Sequence, residues 1–248
     1  MQVPVAVYYE SLCPDSAKFI TEQLYPAMKS ELRDVVEITF VPFGKSQYST
    51  LGSDVTFTCH HGPNECYGNK VHACAIDKIQ SDSYRLDSTR ESLTLDFINC
   101  LMKAGKNFPD NVYPGQRCAS ESQVNWENIK VCANTTEGSA LLRQAGDLTA
   151  KLKEPLTSVP TILFNEVSAA RKLVAPPDSI SRSRSHPAQQ FDSKVNQNAQ
   201  NNFVGTLCRY VGAPQPRICA DHNAASGLAR VSGLFATLLG LWLVRYLF

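Results

Sequence analysis

Cys13-Pro14-Asp15-Ser16 is the segment of this 248-residue chain best placed to do chemistry. It follows Val3 to Tyr9 (VPVAVYY), a short apolar run of β-branched and aromatic residues that predicts a buried strand. Pro14 suits the first position of a helix, where the N–H that proline lacks would have no partner, so a helix is predicted to begin at Cys13 or Pro14. A cysteine at such a strand-to-helix turn meets unpaired N–H groups and the positive end of the helix dipole. Both favour the thiolate, which is the form that attacks disulfides. In the dithiol motif Cys-x-x-Cys, the second cysteine lies one helical turn on and resolves the mixed disulfide. Here that position is Ser16. Release then falls to an external thiol such as glutathione or free cysteine, with no bound cofactor. The alternative is that Cys13 is catalytically silent and the domain only binds a protein partner.

The elements around this motif follow from the hydrophobic pattern. Phe19, Leu24 and Met28 fall on the core face of the first helix, and Pro26 is expected to kink it. Val35 to Phe43 predicts a second strand with Val36, Ile38 and Phe40 on one side. From Gly44 to about residue 155 the pattern reads as helical and cysteine-rich. Within it, Ser88-x-x-Glu91 matches a capping box, Leu93, Phe97, Leu101 and Ala104 follow at helical spacing, and Gly105 closes the segment. Gln123 to Ala133 and Ser139 to Leu152 predict two further helices. Val159-Pro160 leads into a third strand, Thr161 to Phe164. Residues 166–201 are poor in large apolar groups and include the Ser181-to-Ser185 SRSRS patch. They read as a flexible, solvated loop rather than a nucleic-acid contact. Phe203 to Val211 predicts a final helix.

This order reads as an α/β, thioredoxin-like βαβ unit with a cysteine-rich helical insertion, forming one domain over residues 1–220. Thioredoxin-type folds set a cis-proline opposite the cysteine turn. Pro160 is the candidate here, with a trans proline opening a strand as the alternative.

Nine cysteines in a chain of this size point away from the cytosol: Cys13, Cys59, Cys66, Cys74, Cys100, Cys118, Cys132, Cys208 and Cys219. The odd number leaves a free thiol in a monomer, or one that links two chains into a dimer. Asn134-Thr135-Thr136 is a glycosylation sequon, in keeping with a secretory route. No signal peptide opens the chain, which for an exported protein reads as a trimmed mature form with Met1 added. The net charge of +1 gives no reason to expect nucleic acid as a partner.

The segment Cys59-His60-His61-Gly62-Pro63-Asn64-Glu65-Cys66-Tyr67-Gly68-Asn69-Lys70-Val71-His72-Ala73-Cys74 is the most specific feature of the sequence. It resembles the signature C-Q-H-G-x-x-E-C-x-x-N-x-x-x-x-C of the gamma-interferon-inducible lysosomal thiol reductases. Every fixed position matches except the second, where His60 stands for Gln. The stretches YYESLCPDS, Cys118 to Cys132, Leu156 to Asn165 and Leu207 to Cys219 extend the resemblance over about residues 3–219, with the 166–201 segment outside it. The resemblance implies reduction of disulfide-containing protein substrates through Cys13, in a secreted or lysosomal setting. Ser16 departs from the family's dithiol motif, and Phe164-Asn165-Glu166 stands where the family has Val-Asn-Gly.

Cys59, His60, His61, Cys66, His72 and Cys74 also include good zinc ligands, but their spacing fits no standard finger and an oxidising compartment favours disulfides. If residues 66–79 form one helix, Cys66 and Cys74 lie about 12 Å apart along its axis, too far to bridge. Each then pairs elsewhere, with Cys59 and Cys100 in one order or the other as candidates. Cys118–Cys132 and Cys208–Cys219 are the expected local pairs, which leaves Cys13 free. Glu65 and Asn69 read as a helix cap or as buried hydrogen-bonding groups.

Residues 221–248 form a spacer and an apolar tail. The uninterrupted part, 231–244, has 14 residues before Arg245. It would span about 21 Å as a helix, short of the roughly 30 Å hydrocarbon core. Small residues at Ala224 to Gly227 followed by an apolar terminus outline a GPI-attachment signal. A short membrane anchor and a packed terminal helix are the alternatives.

Overall fold

The computed structural model describes residues 2–52, 54–80, 89–105, 113–152, 154–165 and 193–221. Its centre is a three-stranded sheet in the order β2-β1-β5, in which β1 (Val3–Tyr9) runs parallel to β2 (Val36–Pro42) and antiparallel to β5 (Thr161–Phe164). The continuous apolar composition of β1 follows from its central place, because both of its faces are covered. Val3, Val5, Val7 and Tyr9 pack on one side with Phe19, Ile20, Leu24, Ile98, Met102, Phe203 and Leu207. Ala6 and Tyr8 pack on the other with Val41, Phe43, Leu142, Ala145 and Leu148. The parallel β1–β2 pair, the antiparallel third strand and the cysteine at the β1–helix turn define the thioredoxin-like fold.

The crossover from β1 to β2 is α1 (Pro14–Lys18), a π-helical stretch Phe19–Leu24, α2 (Tyr25–Met28) and a 3-10 turn Glu31–Asp34. Pro26 lacks an N–H and its ring crowds the preceding turn. The widened π stretch directly before α2 accommodates this, with the Tyr25 N–H reaching back to the Ile20 carbonyl.

The block from Gly44 does not begin as helix. Gln47–Leu51 (β3) and Asp54–Thr58 (β4) form an antiparallel hairpin. Gly52 at its turn holds φ +62°, and Tyr48 and Phe57 pack together against the Ala6 and Tyr8 face. The helices follow: α3 (Pro63–Lys78), α4 (Arg90–Ala104), α5 (Gly115–Ser122), α6 (Trp126–Ala133) and α7 (Thr136–Ala150). The cap of α4 is Thr89, whose Oγ1 accepts from the Ser92 N–H at 3.2 Å. The Ser88 expected to cap it lies outside the described residues. Gly105 ends α4 at φ +62°.

Two further corrections concern the C-terminal third. Ser193–Asn201 is a helix rather than part of a loop, and the helix expected over 203–211 is shorter, Phe203–Leu207. The remainder of the predicted loop and the apolar tail lie outside the described residues. Among the described residues no helix is long and apolar enough to cross a membrane.

Four disulfides join eight cysteines: Cys59–Cys66, Cys74–Cys132, Cys100–Cys118 and Cys208–Cys219. The expected Cys118–Cys132 pair is not formed. Cys118 and Cys132 lie on different helices, α5 and α6, and each faces a different neighbour across the insertion core. Cys74 therefore reaches Cys132 rather than Cys100.

Cross-linking stabilises by restricting the unfolded chain, more so for a longer loop. Cys74–Cys132 closes a separation of 58 residues and Cys208–Cys219 one of 11. Replacing the first pair by serine should cost about 4 kcal/mol and replacing the second about 3 kcal/mol. Urea unfolding of both double mutants checks the order; a larger loss from the 208–219 pair would contradict it.

Candidate active site

The chain leaves β1 through Glu10, Ser11 and Leu12, all buried, and reaches Cys13 at the start of α1. Cys13 keeps an extended backbone (φ −73°, ψ 123°) and donates its N–H to the Glu10 carbonyl at 3.3 Å. Its carbonyl accepts from Ala17 at 2.9 Å, which begins the helix. Cys13 is the free cysteine, 7% exposed. Its Sγ lies 3.9 Å from the Val159 carbonyl oxygen, and the Val159–Pro160 peptide is cis. The sheet thus brings together a thiol and a cis-proline separated by most of the chain. Ser16 is fully buried, and its Oγ accepts from the Glu10 N–H at 3.5 Å.

The signature helix α3 holds this turn from the other side. Asn69 Oδ1 accepts from the Ser11 N–H at 2.9 Å, and the Ser11 hydroxyl donates to the Glu65 carbonyl at 3.2 Å. Gly68 faces Ser11 so closely that a Cβ there would sit 2.5 Å from Ser11 Oγ, which explains a glycine inside a helix. The Glu65 carboxylate, fully buried, accepts from the His61 N–H at 2.9 Å and lies 2.6 Å from His61 Nδ1. The Cys59–Cys66 disulfide ties the His60-His61 turn to the first turn of α3. Glu65 and Asn69 therefore satisfy buried backbone groups, one at the loop before α3 and one at the Cys13 turn.

Sequence reasoning missed three contributors. Glu10 is fully buried and accepts from the Lys45 N–H at 2.8 Å. Asn196 and Gln200, on the helix Ser193–Asn201, fasten the cis-proline strand. The Ile162 N–H donates to Asn196 Oδ1 at 2.8 Å, and Gln200 Nε2 donates to the Pro160 carbonyl at 2.6 Å. The only signal for these two was the placement of amides on one face of a short polar helix, which a composition-based loop assignment discards.

A second buried contact ties α3 to β1. Tyr9 Oη and His72 Nδ1 are hydrogen-bonded at 2.9 Å, and His72 Nε2 is buried without a partner among the described residues. Burial pushes the imidazole down to about 3 and holds the Tyr9 phenol well above its usual range.

A thiol at the strand-to-helix turn, with a cis-proline directly before the neighbouring strand, is the arrangement of a thioredoxin-like fold. Comparison with known proteins narrows the class. The sequence model of the gamma interferon inducible lysosomal thiol reductase (GILT) family matches residues 4–122. GILT-like protein 1 of Drosophila melanogaster is 68% identical over 98% of this chain and 90% of that protein. The gamma-interferon-inducible lysosomal thiol reductase-like protein of Anopheles gambiae is 46% identical over 99% of this chain and 92% of that protein. The mouse gamma-interferon-inducible lysosomal thiol reductase is 31% identical over 66% of this chain and 61% of that protein. Among solved structures, BdbD from Bacillus subtilis superposes with a TM-score of 0.45 at 16% identity, over 66% of this chain and 77% of that one. The chain belongs to the gamma-interferon-inducible lysosomal thiol reductase family. Membership supports a thiol–disulfide oxidoreductase role, with chemistry based on disulfides rather than on a cofactor.

The depressed His72 pKa has a direct consequence in acid. The unfolded imidazole takes up a proton near pH 6.5, whereas the folded one does so only near 3. Stability from this group is therefore full above about pH 6.5 and falls steadily as pH drops towards 3. By pH 4.5 the loss is about 2–3 kcal/mol. Urea unfolding of wild type and His72→Phe at pH 7.5 and 4.5 should show a smaller pH-dependent loss in the variant; the same loss in both would remove His72 from the account.

Proposed function

We propose that the protein reduces protein disulfides through Cys13 by a monothiol cycle. The observation that carries this reading is the free Cys13 thiol beside the cis Val159–Pro160 peptide, with a serine at the resolving position. In the first step the Cys13 thiolate attacks one sulfur of a substrate disulfide. A Cys13–substrate disulfide forms and the other substrate sulfur leaves as a thiolate. Ser16 has no sulfur to displace the substrate. An external thiol such as glutathione or cysteine then attacks the Cys13 sulfur of the mixed disulfide, and the second substrate sulfur leaves as a thiolate. A second external thiol attacks the external sulfur now joined to Cys13, which frees the Cys13 thiolate and forms the disulfide of the external thiol, so the substrate disulfide is reduced and two external thiols are oxidised.

Ser16 also favours a second reading. Its hydroxyl is integrated into the turn through the Glu10 N–H, and Cys13 keeps only 7% exposure. Both are compatible with a catalytically silent member that works through protein contacts.

Reduction of a model disulfide protein with excess glutathione separates the two. Wild type should turn over, Cys13→Ala should lose essentially all activity, and Ser16→Cys should exceed wild type by about tenfold or more. Equal rates for wild type and Cys13→Ala would rule out the catalytic reading. No turnover by wild type, together with partner capture that survives Cys13→Ala, would establish the silent one. Non-reducing electrophoresis of the same proteins reports whether Cys13 links two chains.

The four disulfides support a secreted or lysosomal setting. Asn134, in its sequon, is exposed at the end of α6, and the tail carries the outline of a GPI signal. In cells, an endoglycosidase should shift the mobility of wild type but not of Asn134→Gln. A phosphatidylinositol-specific phospholipase should release the protein from the surface. An unshifted wild type and no release would contradict the two attachments respectively.

A further inference from the structure

Glu10, His60 and His61 form a cluster that the redox reading does not use. Glu10 Oε2 lies 3.2 Å from His60 Nδ1 and 3.3 Å from His61 Nδ1. One potential ligand atom from each of the three residues falls within 4.8 Å of the others. Glu65 Oε2 lies beyond, 2.6 Å from His61 Nδ1. Two donors bound to one tetrahedral zinc at about 2.0 Å stand roughly 3.3 Å apart. The two Glu10–histidine spacings already match that edge.

The charge balance points the same way. Glu10 and Glu65 are both fully buried. Among the described residues, no lysine or arginine side chain pairs with either; the ionic partners are the two imidazoles. Two carboxylates removed from water call for a strong positive counter-charge, and a dication supplies it. Access is open, because the His60 side chain is 48% exposed while Glu10 is fully enclosed. The cysteines that competed for a metal in the sequence are spent. Cys59, Cys66 and Cys74 are all in disulfides, and His72 sits apart against Tyr9. What remains is an imidazole and carboxylate donor set, which suits zinc among the divalent metals.

We infer that Glu10, His60 and His61 bind a divalent transition metal, Zn2+ or a close relative. The metal takes three protein ligands and leaves a fourth position open to water. Glu65 gives up its contact with His61 Nδ1 and keeps its bond to the His61 N–H. The site adjoins the redox turn, since the Glu10 carbonyl accepts from the Cys13 N–H. Its occupant therefore bears on the geometry of the turn without touching the sulfur. His60 is the residue at which this chain departs from the family signature, where glutamine stands. This inference does not depend on the reductase reading.

Calorimetric titration of the disulfide-intact protein with Zn2+ alone tests it. Wild type should bind one zinc per chain, and Cys13→Ser should bind equally. His60→Gln, at a partly exposed position where folding can be checked by circular dichroism, should bind at least about tenfold more weakly. Co2+ in the same site should give visible d–d bands with no thiolate charge-transfer absorption. No zinc binding by wild type, undiminished affinity in folded His60→Gln, or loss of binding in Cys13→Ser would each overturn the assignment. The last would move the metal onto the thiol.

Discussion

The structure depends on satisfying a buried turn. Between the end of β1 and the start of α1 the chain runs through Glu10, Ser11, Leu12 and Cys13, all removed from solvent. A backbone segment in that position must find partners for its polar groups or lose the free energy of their desolvation. Helix α3 supplies them through the Asn69 amide and the Glu65 carbonyl, and Gly68 removes the side chain that would keep the two segments apart. In this chain the signature segment thus largely holds the Cys13 turn. Its cysteines close the loop and clamp the helix, and its polar residues complete the turn's hydrogen bonds.

The same arrangement explains why a helical insertion can sit inside a thioredoxin-like fold without loosening the site. The insertion has its own core, built around Val71, Cys74, Phe97, Cys118, Ile129 and Cys132. Two disulfides cross that core and fix α3 against α6 and α4 against α5. A rigid insertion can then press on the sheet through Tyr9 and His72 and on the redox turn through Ser11 and Asn69. The helix Ser193–Asn201 performs the corresponding task for the cis-proline strand with two amides. Cys13 lies where these supports converge. Ser16 fits within this turn, since its hydroxyl accepts from the Glu10 N–H.

Strands β1, β2 and β5 were legible in the sequence because each is a short apolar run bounded by turn residues. Helix α4 was legible through its 3.6-residue period and Gly105. The hairpin β3–β4 was not. Its residues alternate only weakly, and Tyr48 and Phe57 find their burial against residues distant in the sequence. The helix Ser193–Asn201 was hidden for a related reason. It is polar, and its value lies in what Asn196 and Gln200 reach across the chain. The Cys118–Cys132 expectation failed because closeness in sequence is a poor guide when the intervening chain turns between two helices.

By itself the sequence determined the family, the strand that precedes Cys13, and the absence of a second sulfur at Ser16. These are matters of residue identity and local spacing, and no folding is needed to read them. Only the tertiary structure decided which cysteines pair, that Cys13 meets the cis Val159–Pro160 peptide, and that Glu10 joins His60 and His61. Each of those is a contact between segments far apart along the chain. Such contacts are set by how the sheet, the insertion and their cores pack together, and local pattern carries no record of it.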